Sequence, residues 1–481
     1  MGWILEHWLA VTLLIVYTGV LMHHAKVGRE RSTGMDGYYV GGRDMGGFAV
    51  GVSFFATYAS TNSYIGNAGK GYEYGLPWML LGVFMVLFTF LSWTFVAPRM
   101  RRFAAHWDAL TMPDYLSERF GARSKTLRVT SALVIVFSSL LYLLAVFKGA
   151  GNLFQQFLSI PYEAAVGGTL VVVMFYTSIG GFVSVVRTDV VQGFLMILGS
   201  LLIFYFVTDA AGGIGVLPSL AERPDTANLF EASGAIPFVV LLGITLSGTL
   251  KLLVDPRQVS RFYALKDEKS VRLGIWVAVI GITLVMAFLL PVGLYARFLL
   301  DGVTDTDLVV PMLVSDPDIF PLWASDFLAI AMLAAAMSSM DSVLLVAASV
   351  LYNDVAGALR PAARPLQWTR AGVVGFAILA AVLALNPPGG IVEITVFSGS
   401  LYAVCFFPAI VFGLHWRGGS AQAVLASIFV GIPVLLTWIL SGLDRQVHEV
   451  FPALAASSLT YLIVARFTTP GRERLPEAAD A

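Results

Sequence analysis

The sequence predicts an all-α polytopic membrane protein of about thirteen transmembrane helices. Three observations predict it. Of 481 residues, 57% are hydrophobic and only 13% charged, with a mean hydropathy of +0.79; a soluble domain carries about 25% charge. Apolar runs long enough to span a bilayer recur along the whole chain. Lys and Arg gather in alternate connecting segments, the pattern that fixes orientation in a membrane.

The expected spans are 3–24, 46–72, 76–97, 128–156, 161–181, 188–210, 235–254, 272–299, 322–352, 370–386, 391–414, 420–441 and 449–466. The first begins "MGWILEHW", with no basic leading segment and no small-residue cleavage site, and reads as a retained helix. With the N-terminus outside, segments 25–45, 98–128, around 187, 257–272, 360–370, around 417 and 466–474 fall in the cytoplasm and carry 24 of the 30 basic residues. Lys70, Arg223, Arg297 and Arg445 fall outside, and Lys148 and Lys251 within helices. The sequence therefore predicts a multi-pass protein of the plasma (inner) membrane, N-terminus outside and C-terminus cytoplasmic. A net charge of −1 offers no basic field for nucleic acid, and the single cysteine, Cys405, excludes an internal disulfide and a cysteine metal cluster. Six scattered histidines form no metal-ligand pair, and no GxSxG elbow is present, so no enzyme is expected.

Two spans look interrupted. The second holds Ser53, Thr57, Ser60, Thr61, Asn62, Ser63 and Asn67 among Gly66, Gly69 and Gly71; the seventh holds Gly243, Gly248 and Pro256. Broken helices in matching positions of two halves point to an inverted-repeat transporter. The expected division is 1–45 for the first helix and its loop, 46–210 and 235–414 for the two five-helix repeats, and 415–481 for two further helices and a polar tail. Within the ninth span, Ala335, Ser338, Ser339 and Ser342 fall at i, i+3, i+4 and i+7 and share one helical face. Hydroxyls there either bond back to the i−4 carbonyl or a neighbouring helix, or serve a ligand.

"YTSIGGFVSVVRTDVVQ" (176–192) resembles the signature of the sodium/solute symporter family, and "YYVGGRDMGG" (38–47), "YIGNAGKGY" (64–72) and "MSSMDSVLL" (337–345) fit the same pattern. The resemblance covers about 38–415. It implies a LeuT-type 5+5 inverted repeat with one extra N-terminal and two extra C-terminal helices, and cotransport of Na⁺ with a small organic solute. It also implies a sodium site of the Ser338 and Ser339 hydroxyls and the carbonyls of Ala56, Ala59 and Ala335. Sodium, a hard cation, suits such oxygens as calcium does. Asp189 with Ser342 would form a second sodium site, the alternative being an interfacial anion paired with Arg187 or another cytoplasmic cation. Asp341 could lean on either site or hold helices together.

By the same resemblance, Tyr58, Ser60, Ser63 and Tyr142 line the solute pocket, Tyr142 alternatively being an aromatic of the bundle. Lys251 stands where relatives carry aromatic gate residues. A buried lysine needs a partner: either Asp255, one turn on, or a carboxylate of the solute. The expected cargo is accordingly a carboxylate-bearing solute such as a monocarboxylate, pantothenate or an amino acid. Lys148 lies about 240° round its helix from Tyr142 at 100° per residue and is expected as a structural or regulatory cation near Asp189; Lys70 is expected in water. A proton-coupled transporter, with Lys148, Lys251 or Asp189 titrating, and a transporter-like sensor remain the alternatives. Oligomeric state is open.

Overall fold

The structure is a computed structural model describing residues 6–32, 34–121, 124–357 and 363–471. The start of the first expected span, part of the expected 360–370 segment and the tail beyond 471 lie outside the described residues. What is described is helical. The elements used below are α1 (Trp8–Arg31), α2 (Gly47–Tyr58), α3 (Ala68–Tyr74), α4 (Leu76–His106), α5 (Lys125–Leu158), α6 (Tyr162–Ala210), α7 (Phe238–Val254), α8 (Pro256–Tyr263), α9 (Glu268–Leu289), α10 (Leu322–Ala356), α11 (Pro365–Ala384), α12 (Ile391–His415), α13 (Ala421–Leu440) and α14 (Val450–Phe467).

Among the described residues, eleven helices are long and apolar enough to cross a membrane, not thirteen. The two expected spans missing from that set are 46–72, which is broken into α2 and α3, and 161–181, whose apolar helical stretch is Tyr162–Met174. In α6 the chain turns at Gly181, with φ 65° and ψ −170°. A Cβ would make that conformation costly, and here it would also lie 2.7 Å from Tyr38 Cδ2.

Two breaks and one close approach position the interior. α2 stops at Ala59 (ψ 73°), and the chain resumes as a widened π-type turn over Asn62–Asn67 before α3. Such turns recur at functional positions. α7 stops at Asp255, which is extended (φ −65°, ψ 124°) because the following Pro256 disfavours a helical residue before it. The Asp255 carboxylate then accepts from Arg257 N at 2.9 Å and caps α8. At the close approach, α12 comes near enough to α7 that a Cβ on Gly399 would sit 2.5 Å from Ser247 O and 3.4 Å from Lys251 Cδ. That missing side chain is what lets the lysine stem pass.

α10 is the most enclosed span, buried along almost its whole length, while α1, α4, α11, α13 and α14 turn apolar residues outward. The segment 257–272, expected as a cytoplasmic loop, differs from that expectation at its start. Arg257 and Arg261 lie on α8 and are 2% and 1% exposed. A cation in a connecting segment reads as solvated unless its partners are known, and here they come from distant helices.

Candidate ion and solute site

The break after α2 frees carbonyls. In a continuous helix Ser60 N would bond Ala56 O and Ser63 N would bond Ala59 O. Instead Ser60 N donates to Tyr58 O at 2.8 Å, and Ser63 N to Ser60 O at 2.8 Å. The helical partners of the Ala56 and Ala59 carbonyls are therefore diverted, at two positions where the family resemblance implies sodium ligands. Facing them on α10 are Ser338 and Ser339, both fully buried. Ser339 Oγ donates to Thr57 O at 3.0 Å, bringing the serine face against the end of α2. Ala335 lies one turn earlier on the same helix.

Ser338 Oγ turns the other way and donates to Asp189 Oδ1 at 2.5 Å. Asp189, on α6 and fully buried, also accepts from Ser53 Oγ at 2.5 Å and from Arg261 Nη2 at 3.1 Å. Arg261 spends its remaining donors on Ser53 Oγ (2.8 Å), Ser342 Oγ (2.7 Å), Arg257 O (2.6 Å) and Thr57 Oγ1. Ser342 Oγ lies 3.1 Å from Thr57 Oγ1 and 2.9 Å from Ser338 O. Asp189 and Ser342 thus share one polar cluster, with the Arg261 guanidinium among its oxygens. Of the two partners expected for Asp189, Arg187 is not the cation that pairs with it; Arg261 is. Asp341 Oδ1 instead accepts from Thr177 Oγ1 at 2.5 Å, joining α10 to α6.

Of the residues expected at the solute pocket, Tyr58, Tyr142 and Lys251 come together. Lys251 Nζ sits 5.2 Å from the Tyr58 ring centre and 5.3 Å from that of Tyr142. It is 3% exposed and makes no hydrogen bond or ion pair among the described residues. Cation–π attraction to two rings compensates part of its lost hydration. The structural alternative, a Lys251–Asp255 pair, is not formed. Asp255 is held by Arg257, whose Nε lies 3.0 Å from both carboxylate oxygens. The Arg257 guanidinium carbon lies 3.7 Å from the Tyr142 ring centre. Tyr58 Oη donates to Gly248 O, tying the end of α2 to α7. Ser60 Oγ accepts from Asn62 N at 3.1 Å and Ser63 Oγ reaches Tyr58 O at 3.5 Å, so both serines brace the break itself.

Two further lysines depart from expectation. Lys148 is not near Asp189; its Nζ lies 2.6 Å from Asp307 Oδ2 and 3.1 Å from Gly389 O, and burial pushes the Asp307 carboxyl above the usual carboxylate range against the pull of that lysine. Lys70 is not in water; it is 7% exposed and bridges Glu73 (2.6 Å) and Glu393 (2.7 Å). These pairs border a polar cavity of about 500 Å³. The residues that sequence reasoning missed are Ser53, Thr57, Arg257 and Arg261. One signal for the arginines was available: Asp-Pro starts a helix, and Arg257 and Arg261, four apart, share one face of it.

A helical membrane bundle with a broken helix facing a serine pair is the build of a secondary transporter. The sodium:solute symporter family matches residues 38–431. The chain belongs to this family of Na⁺-coupled solute symporters; it is a transporter and not an enzyme. It is 29% identical to the osmoregulated proline transporter OpuE of Bacillus subtilis over 91% of each chain. It is 28% identical to the sodium/pantothenate symporter of Haemophilus influenzae, over 95% of this chain and 94% of that one. Among solved structures it superposes on a substrate-bound, outward-open Na⁺-coupled sialic acid symporter with a TM-score of 0.81, at 18% identity over 97% of this chain and 99% of that one. A manganese transporter of Eremococcus coleocola gives 0.61 at 14% identity over 88% and 95%. These likenesses establish the LeuT-type fold.

Proposed function

We propose that this symporter imports a carboxylate-bearing solute, a monocarboxylate, pantothenate-like acid or amino acid, and that Lys251 receives the carboxylate. The observation that carries the reading is a buried ammonium between Tyr58 and Tyr142 with no acidic partner, its one sequence neighbour of opposite charge already taken by Arg257. An ammonium in a low-dielectric pocket is costly alone and strongly favoured beside a carboxylate. That relatives include proline and pantothenate symporters agrees with this reading.

Sodium at Ser338 and Ser339 with the carbonyls of Ala56, Ala59 and Ala335 would tie α2 to α10. That tie would shape the Tyr58 side of the solute pocket, so ion and solute raise one another's affinity equally. The Asp189–Ser342 cluster is the second candidate ion position, sharing its oxygens with Arg261. In this reading the repeats are 46–210 and 235–414, and Lys and Arg set the N-terminus outside. The test is uptake by proteoliposomes of radiolabelled proline, pantothenate and short monocarboxylates, each with Na⁺ or choline outside at fixed pH. Lys251→Met should abolish uptake of the acid that wild type accumulates, because losing one partner of such a pair costs about 3–5 kcal/mol, while leaving the thermal unfolding temperature close to wild type. Full acid uptake by Lys251→Met would sink the assignment. Accumulation unaffected by choline would overturn sodium coupling.

A further inference from the structure

Beside the stretch of α7 that carries Lys251, α4, α7, α12 and α14 leave a groove of about 910 Å³ between them. Its walls include Phe95 and Val96 of α4, Leu253 of α7, Val411 of α12 and Leu462 of α14. Two observations separate it from an ordinary lipid-facing surface. First, both α4 and α12 widen into π-type turns at it, Ser92–Val96 and Pro408–Phe412. Irregular turns of this kind are rare and are retained mostly where a site needs them. Second, its rim is cationic. Arg466, in the last turn of α14, lines the groove, and Arg99, on α4, lies against the His415 ring, whose Nε2 is 3.2 Å from Phe95 O. Neither Arg99 nor Arg466 has a carboxylate at ion-pair distance among the described residues.

We infer that this groove is a binding site for an anionic phospholipid. Its acyl chain lies against Leu253, Val411 and Leu462, and its phosphate lies between Arg99 and Arg466. Basic pockets between membrane helices at the Lys/Arg-rich side select anionic headgroups, each such residue contributing about fivefold to affinity. A zwitterionic lipid would fill the apolar part equally well and bring the same phosphate, but its quaternary ammonium would set a like charge beside Arg99 and Arg466, so a headgroup of net negative charge is favoured. Leu250 and Leu253 form one wall, and Lys251 lies between them in sequence, so an acyl chain would pack against the helix that carries the proposed solute contact.

The test does not depend on transport. The purified protein, delipidated and then equilibrated with equimolar phosphatidylglycerol and phosphatidylcholine of identical acyl chains, is examined by native mass spectrometry. Wild type should retain phosphatidylglycerol selectively. Arg99→Gln/Arg466→Gln should lower that retention about thirtyfold, and Val411→Trp, which fills the groove without touching the arginines, should lower retention of both lipids. Unfolding temperatures of all variants identify any that is simply misfolded; for such a variant, Arg99→Lys/Arg466→Lys, which keeps the charge, should retain the lipid. Equal retention of the two lipids by wild type, or unchanged selectivity in the double glutamine variant, overturns the inference. So does a disulfide between copies carrying Phe95→Cys and Leu462→Cys, which would make a second chain the occupant.

Discussion

A carboxylate with no exposure must have its charge answered within a few ångströms, and Asp189 has it answered three times, by Ser53, Ser338 and Arg261. Ser338 is therefore shared: the hydroxyl assigned to sodium by resemblance is also a donor to Asp189. Ser339 has no such second duty among the described residues, where its hydroxyl bonds the Thr57 carbonyl at the helix break. The two serines should consequently separate on mutation. Ser339→Ala removes one candidate oxygen ligand and should raise the Na⁺ concentration for half-maximal uptake about tenfold, a hydrogen bond or contact to a charged group being worth about 1.5–3 kcal/mol. Ser338→Ala should do the same and also lower the unfolding temperature, because it strips a donor from a buried carboxylate. Sodium titrations and melting curves of both variants check this, and an unchanged Na⁺ dependence in the double variant would place the oxygen cage elsewhere.

The polar cluster around Asp189 joins four elements: α2 through Ser53 and Thr57, α6 through Asp189, α8 through Arg261 and α10 through Ser338 and Ser342. Arg261→Gln should be severe, costing about 3–5 kcal/mol by leaving a buried carboxylate without its cation. Arg261→Gln/Asp189→Asn should regain most of that in thermal unfolding, and equal instability of single and double variants would show that Arg261 matters through packing alone. Much of this scale was legible in the sequence. The helices announce themselves through apolar length, and the break after α2 through Gly, Ser and Asn inside an apolar run. The serine face of α10 follows from helical periodicity. What was not legible is pairing across the chain. Lys70 with Glu393, Lys148 with Asp307, and Asp189 with Arg261 join residues from different helices. Composition and periodicity carry no information about such partners, so Arg261 read as a loop cation and Lys70 as a solvated one.

For the molecule as a whole, the basic residues predict a definite sidedness, and the buried state of Cys405 makes it measurable. With the native thiol inaccessible, a cysteine introduced at Lys266, next to α8, should react with a membrane-impermeant maleimide only in inside-out vesicles. One introduced at Glu222, in the segment between α6 and α7, should react only in right-side-out cells. The reverse pattern would invert the orientation, and with it which end of the polar cavity at Lys70 and Lys148 meets the outside.

That cavity has an experimental consequence of its own. Lys70 stands between Glu73 and Glu393, whose side chains are 43% and 50% exposed, so this fork of charges lies within reach of bulk electrolyte. At about 0.15 M ionic strength the Debye length is about 8 Å, and it lengthens to about 30 Å at 0.01 M. Adding NaCl to drive transport therefore also weakens the fork, and a titration without balancing salt reports two variables at once. Uptake curves measured with NaCl alone and with NaCl plus choline chloride at constant total ionic strength should differ in wild type. The difference should shrink in Lys70→Met/Glu393→Leu; identical curves in wild type would show that the fork is indifferent to screening.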